Sequence, residues 1–146
     1  MGNTGIMPSL VTMRYAPSPP VILIVEDEIL LLEFAADVLE DAGFSVLKAS
    51  NPAEALRVLA TAADVQVLFT DVDLRAERDG IWLARQVKAE WPDVHLIVTS
   101  GRSWAAEAPG IFVPKPYSPD QVIGIIRDQI DRRGEWEPVH GESASP

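Results

Sequence analysis

Four apolar runs in this sequence each end in a polar residue: Glu26 and Asp27 after VILIV, Asp71 after VQVLFT, Thr99 after VHLIV, and Lys115 after IFVP. Three acids, a hydroxyl and a lysine are the groups needed to hold a hard cation and handle a phosphoryl group. Clustered carboxylates repel one another, and Mg²⁺, which takes oxygen ligands, relieves that repulsion. An aspartate beside such an ion can attack phosphorus, while a lysine and a hydroxyl meet the charged oxygens that arrive with it. Asp71 is the candidate nucleophile, because it follows six largely apolar residues and opens a loop where no helix starts at once.

Each residue taken alone has a plainer reading. Glu26 or Asp27 could cap the helix that follows, Asp71 could be a solvated strand-end carboxylate, Thr99 a β-branched strand residue and Lys115 an exposed loop lysine. The conjunction favours chemistry. Parallel strands buried on both faces read as continuous Val/Ile/Leu runs, and in open α/β sheets ligands bind just beyond the carboxyl ends of such strands.

The elements that would position these groups alternate along the chain. VILIV (21–25) reads as a strand, followed by a helix over 28–42 with Leu31, Phe34, Ala35, Val38 and Leu39 at helical spacing and Gly43 as its stop. A second strand spans 44–49, and Asn51-Pro52-Ala53-Glu54 supplies an N-cap, a first-turn proline and a capping-box acid for a helix to about Thr61. The third strand is 65–70, and Ile81, Trp82, Leu83, Val87 and Trp91 pattern a helix that Pro92 ends. Strands at 94–98 and 111–114 follow, and Ser118-Pro119-Asp120-Gln121 opens the last helix. Strand–helix alternation predicts an α/β fold: a doubly wound, five-stranded parallel sheet with about five helices on its two faces. The fourth crossover, Ser100 to Gly110, has eleven residues including Gly101, Pro109 and Gly110. A fourth helix there must be short or irregular.

Composition narrows the function. The 146 residues carry 12 basic and 22 acidic side chains, a net charge of −10, which opposes the phosphate neutralisation that direct nucleic-acid binding depends on. There is no cysteine, hence no disulfide framework or thiolate metal site. No apolar run approaches the roughly 18 residues of a membrane span, and no secretory signal opens the chain, so a cytoplasmic protein without membrane insertion is expected. Residues 1–20 and 134–146, rich in Pro, Gly and Ser, read as a flexible leader and tail around a domain at 21–133.

With these residues in place, the chain resembles a response-regulator receiver domain, the phosphoacceptor of bacterial two-component signalling. The likeness rests on the acid pair in VILIVEDE, the aspartate ending VLFTD, the Asp79-Gly80 turn, the hydroxyl in LIVTSG and the Lys-Pro of FVPKPY. The resemblance implies that Asp71 takes phosphate from a sensor histidine kinase or histidine phosphotransfer protein. It further implies that Asp27, Asp71 and the backbone carbonyl of Asp73 ligate Mg²⁺, with Glu26 acting through water. Thr99 and Lys115 would contact the phosphoryl oxygens, and the Lys115-Pro116 bond would be cis. Phe112 falls at the aromatic switch position and equally suits a core strand aromatic. Three departures stand out: Arg75 where the family often has proline, Ser100 where many members have alanine, and the reduced fourth crossover.

The leading expectation is a single-domain response regulator that signals to an unknown downstream protein by contact or acts as a phosphate sink. Two alternatives accompany it. Asp71-Val72-Asp73 resembles the DxD motif of haloacid-dehalogenase-type phosphatases, although there the motif follows the first strand and the chain carries a cap. A receiver-like interaction module that works without phosphate is the other.

Overall fold

The five apolar runs form strands β1 (Val21–Val25), β2 (Ser45–Ala49), β3 (Val65–Asp71), β4 (His95–Ser100) and β5 (Ile111–Pro114) in a computed structural model that describes residues 18–61 and 64–133. The predicted leader, apart from residues 18–20, and the predicted tail lie outside the described residues. Helices α1 (Ile29–Asp41), α2 (Pro52–Thr61), α3 (Gly80–Glu90) and α4 (Pro119–Arg133) connect or follow the strands. All pairings are parallel in the order β2-β1-β3-β4-β5, so every carboxyl end lies along one edge. The chain steps outward from β1 to β2 and then crosses back to β3. The crevice at that reversal lies at the ends of β1 and β3, beside Asp27 and Asp71.

Alternation along the central strands builds two cores. Leu23, Val25 and Leu68 face one side, with Ala55 and Leu59 of α2 and Leu83 and Val87 of α3. Ile22, Ile24, Val67 and Phe69 face the other, with Leu32, Ala36 and Leu39 of α1 and Val122, Ile126 and Ile130 of α4.

Local signals account for most boundaries. Asn51 Oδ1 accepts from the Glu54 N–H at 2.8 Å, as an N-cap should, but Glu54 Oε1 reaches back to the Ser50 N–H at 2.6 Å rather than to that of Asn51. Ser118 Oγ accepts from the Gln121 N–H at 3.2 Å and opens α4. Beyond α1 the chain turns through Gly43, whose φ of 102° would strain any residue with a Cβ.

Two expectations need correction. The predicted face of α1 is rotated: Leu32, Ala36 and Leu39 are buried, whereas Leu31 and Phe34 are 47% and 60% exposed. ILLLEFAADVL contains two adjacent apolar stripes, and spacing alone cannot select between them. β4 runs through Thr99 and Ser100, so both hydroxyls sit on the strand itself. The expectation of a short or irregular fourth helix holds: among the described residues there are four α-helices and one 3₁₀ helix. The fourth crossover holds a 3₁₀ helix, Ser103–Glu107, pinned by buried Ala105 and Ala108.

Candidate functional site

β3 delivers Asp71 to the sheet edge with only 6% of its surface exposed. Its Oδ1 accepts from the Asp73 N–H at 3.3 Å and from Lys115 Nζ at 3.2 Å. Lys115 reaches it because the Lys115 N–H donates to the Ser100 carbonyl at 3.0 Å, carrying the β4–β5 ladder past the strand end, where the Lys115-Pro116 peptide is cis. Burial would push the Lys115 ammonium down, but the charge and hydrogen bond of Asp71 outweigh it and hold the ammonium above its ordinary value.

Gly80 explains the Asp79-Gly80 turn. A Cβ there would run into the Asp71 carbonyl and Val72 Cα, so only glycine lets the start of α3 rest on the acceptor strand. Asp79 caps that start, its Oδ1 accepting from the Trp82 N–H at 2.9 Å.

Glu26 and Asp27 leave β1 beside Asp71, and one carboxylate oxygen from each of the three lies within 4.8 Å of the others. Burial, and then the Asp71 charge, push the Glu26 carboxyl above its ordinary value. Glu26 Oε2 also accepts from the Glu28 N–H at 3.0 Å, but Glu28 is itself the N-cap residue of α1 and that cap has no side-chain hydrogen bond, so neither Glu26 nor Asp27 caps the helix. Burial would raise the Asp27 carboxyl too, but hydrogen bonds and charge from Arg75 overcome it and hold Asp27 below the usual carboxylate range. Hard oxygen donors without sulfur or imidazole, crowded enough to raise one member's proton affinity, fit Mg²⁺.

The two neighbouring hydroxyls are differently employed. Ser100 Oγ donates to Asp73 Oδ2 at 3.0 Å and accepts from the Arg102 N–H at 3.0 Å, while Arg102 Nε lies 3.4 Å from Asp73 Oδ1. Thr99 is 3% exposed and its buried Oγ1 has no hydrogen-bond partner among the described residues. An orphaned hydroxyl is costly in a core, and this one lies in the wall of a cavity of about 530 Å³ shared with Asp71 and Lys115. Phe112 stands apart, half-buried on β5 against the core on the α2–α3 side.

Sequence reasoning missed several neighbours. Tyr117 packs edge-on against Phe69 with ring centroids 5.9 Å apart, and it lines the same cavity. The Arg102–Asp73 pair was invisible because it joins two loops whose shapes are set only in the fold. Arg75, which stands where the family often has proline, lays its side chain on Asp27. The Asp73 carboxylate, engaged with Ser100 and Arg102, has a structural task that a DxD acid/base reading does not use.

The profile of the response regulator receiver domain matches residues 22–127. The chain is 34% identical over 118 residues to the nitrogen assimilation regulatory protein NtrX of Azorhizobium caulinodans, covering 75% of this chain and 26% of that protein. It is 28% identical over 120 residues to the sensor kinase CckA of Brucella abortus, covering 77% of this chain and 13% of that one. Among solved structures, a response regulator receiver protein from Sinorhizobium medicae superposes with a TM-score of 0.72 at 28% identity, over 79% of this chain and 97% of that one. No helix among the described residues is long and apolar enough to cross a membrane. The chain belongs to the response regulator receiver domain family.

Proposed function

We propose that this domain accepts a phosphoryl group on Asp71 from a phosphohistidine of a sensor kinase or phosphotransfer protein. A carboxylate oxygen of Asp71 attacks phosphorus, the P–N bond to imidazole breaks, and the departing imidazole takes up a proton. Glu26, Asp27, Asp71 and the Asp73 carbonyl are the groups that would hold Mg²⁺, which neutralises charge on the transferring oxygens when bound. Lys115, now on Asp71 Oδ1, supplies a cation for one phosphoryl oxygen, and the Thr99 hydroxyl donates to another. The observation that carries this reading is the buried carboxylate flanked by a paired lysine and a partnerless hydroxyl on one sheet edge.

The donor's chemistry is supported from outside the pocket as well. Asp71 is buried, so the donor must cover the mouth of the crevice. α1 presents Ile29, Leu30 and Phe34 at 61%, 83% and 60% exposure, and its Leu31 and Phe34 line the cavity that holds Asp71. Apolar groups of this kind suit the face of an amphipathic helix that carries the phosphohistidine. The signal then leaves by protein contact, with Phe112 and the 3₁₀ segment as the elements nearest Thr99 and Lys115 in the chain.

Incubation with a small phosphodonor tests the assignment. Phosphorylation that needs Mg²⁺ and disappears in Asp71→Asn is expected. Equal labelling of the mutant would overturn it, and partner affinity indifferent to phosphodonor and Mg²⁺ would favour a phosphate-independent module.

A further inference from the structure

Asp27 is already engaged. Its Oδ2 accepts two hydrogen bonds from Arg75, one from the backbone N–H and one from Nε, each 2.9 Å long. Arg75 lies in the segment between β3 and α3, which is folded on itself by bonds from the Leu74 N–H to the Val72 carbonyl and from the Ala76 N–H to the Leu74 carbonyl. A single carboxylate therefore ties that segment to the end of β1 through both backbone and side chain.

Three of the carboxylates around the crevice each face a cation. Asp71 is met by Lys115 and Asp73 by Arg102, and Arg75 is the cation on Asp27. The two members of the Arg75 pair are unequally placed, with side-chain exposures of 76% for Arg75 and 15% for Asp27. The guanidinium can swing into water and strand nothing, whereas the carboxylate cannot follow it. Exposed pairs of this kind are weakly held. A dication seated among Glu26, Asp27 and Asp71 would meet repulsion from a guanidinium bonded to one of its ligands.

We propose that Arg75 is a tethered counter-ion that competes with a divalent cation at Asp27, so that metal entry displaces its side chain from that carboxylate. The proposal rests on the reading of Glu26, Asp27 and Asp71 as metal ligands. It makes the metal affinity of this domain lower than its acids alone would give. It also couples metal entry to a loop beside the acceptor.

Calorimetric titration of Mg²⁺ into the full chain, without phosphodonor, tests it on wild type, Arg75→Gln and Arg75→Lys. Arg75→Gln is expected to bind roughly three- to tenfold tighter at low salt, with the gain shrinking as salt rises and Arg75→Lys staying near wild type. In wild type, Mg²⁺ should change amide exchange across residues 74–79; in Arg75→Gln, which has no guanidinium to displace, the change should be smaller. Wild type and Arg75→Gln binding Mg²⁺ equally, or the variant binding more weakly, would overturn the competition while leaving the metal ligands standing. Absence of Mg²⁺ binding in all three chains would overturn the ligand reading itself, and the competition with it.

Discussion

Asp71 and Thr99 are register partners across β3 and β4, and the Val72 N–H donates to the Thr99 carbonyl at 2.9 Å. The carboxylate and the orphaned hydroxyl thus share one stretch of ladder. Thr99→Val removes the hydroxyl and keeps the branched shape. Because Oγ1 has no partner among the described residues, stability should hold or rise by up to about 1 kcal/mol, while phosphorylation of Asp71 slows. Chemical denaturation and a phosphorylation time course on the same variant check both halves. A large loss of stability would show that the hydroxyl is structural.

Gly80 has no comparable freedom. A methyl group there meets the Asp71 carbonyl and Val72 Cα, both backbone, so relief requires α3 to move away from the acceptor strand. Gly80→Ala should cost about 2–3 kcal/mol in urea unfolding. It should slow phosphorylation with it, because the start of α3 and the Asp71–Val72 backbone cannot both keep their places. An unperturbed midpoint would contradict the packing described.

Glu26 gives a pH dependence with a definite sign. Its carboxyl is raised in the fold above the ordinary value of 4.5, by burial first and the Asp71 charge after it. The folded state therefore holds the proton more tightly than the unfolded chain. Stability from this group is present below the ordinary value and lost as pH rises through the raised one. Without divalent metal, Glu26→Gln should have a higher melting temperature than wild type near neutral pH, with the difference closing toward about pH 4. Saturating Mg²⁺ should raise wild type more than the variant. Melting curves that keep the same separation at every pH would contradict this account.

The five parallel strands, the two-sided core and most caps were legible because each rests on local chemistry: apolar runs for buried strands, Asn51 and Ser118 for caps, Gly43 for a stop. The edge residues were legible as a set because strand ends in this topology converge. What could not be read was which of two stripes on α1 faces the sheet, since Leu31 and Leu32 are both leucine and only packing against Ile24 and Phe69 decides. The choice between Thr99 and Ser100 was equally closed to sequence. It turns on Asp73 and Arg102, which reach Ser100 from two loops.

The fourth crossover offers a dynamic expectation. Residues 101–110 leave β4 directly after the hydroxyl pair and return into β5 ahead of Lys115, with the 3₁₀ helix between. Engagement of Thr99 and Lys115 by a phosphoryl group should change amide exchange across this segment, as a two-state packing requires. Identical exchange with and without phosphodonor would place the output elsewhere.

The central claim is that Asp71 is the covalent acceptor, and trapping the acyl phosphate tests it most directly. The full chain is phosphorylated by a small donor, treated with hydroxylamine and mapped by peptide mass spectrometry. The account predicts a hydroxamate at Asp71 that depends on both donor and Mg²⁺. A modification at any other carboxylate, or none under conditions that phosphorylate a known receiver, would contradict it.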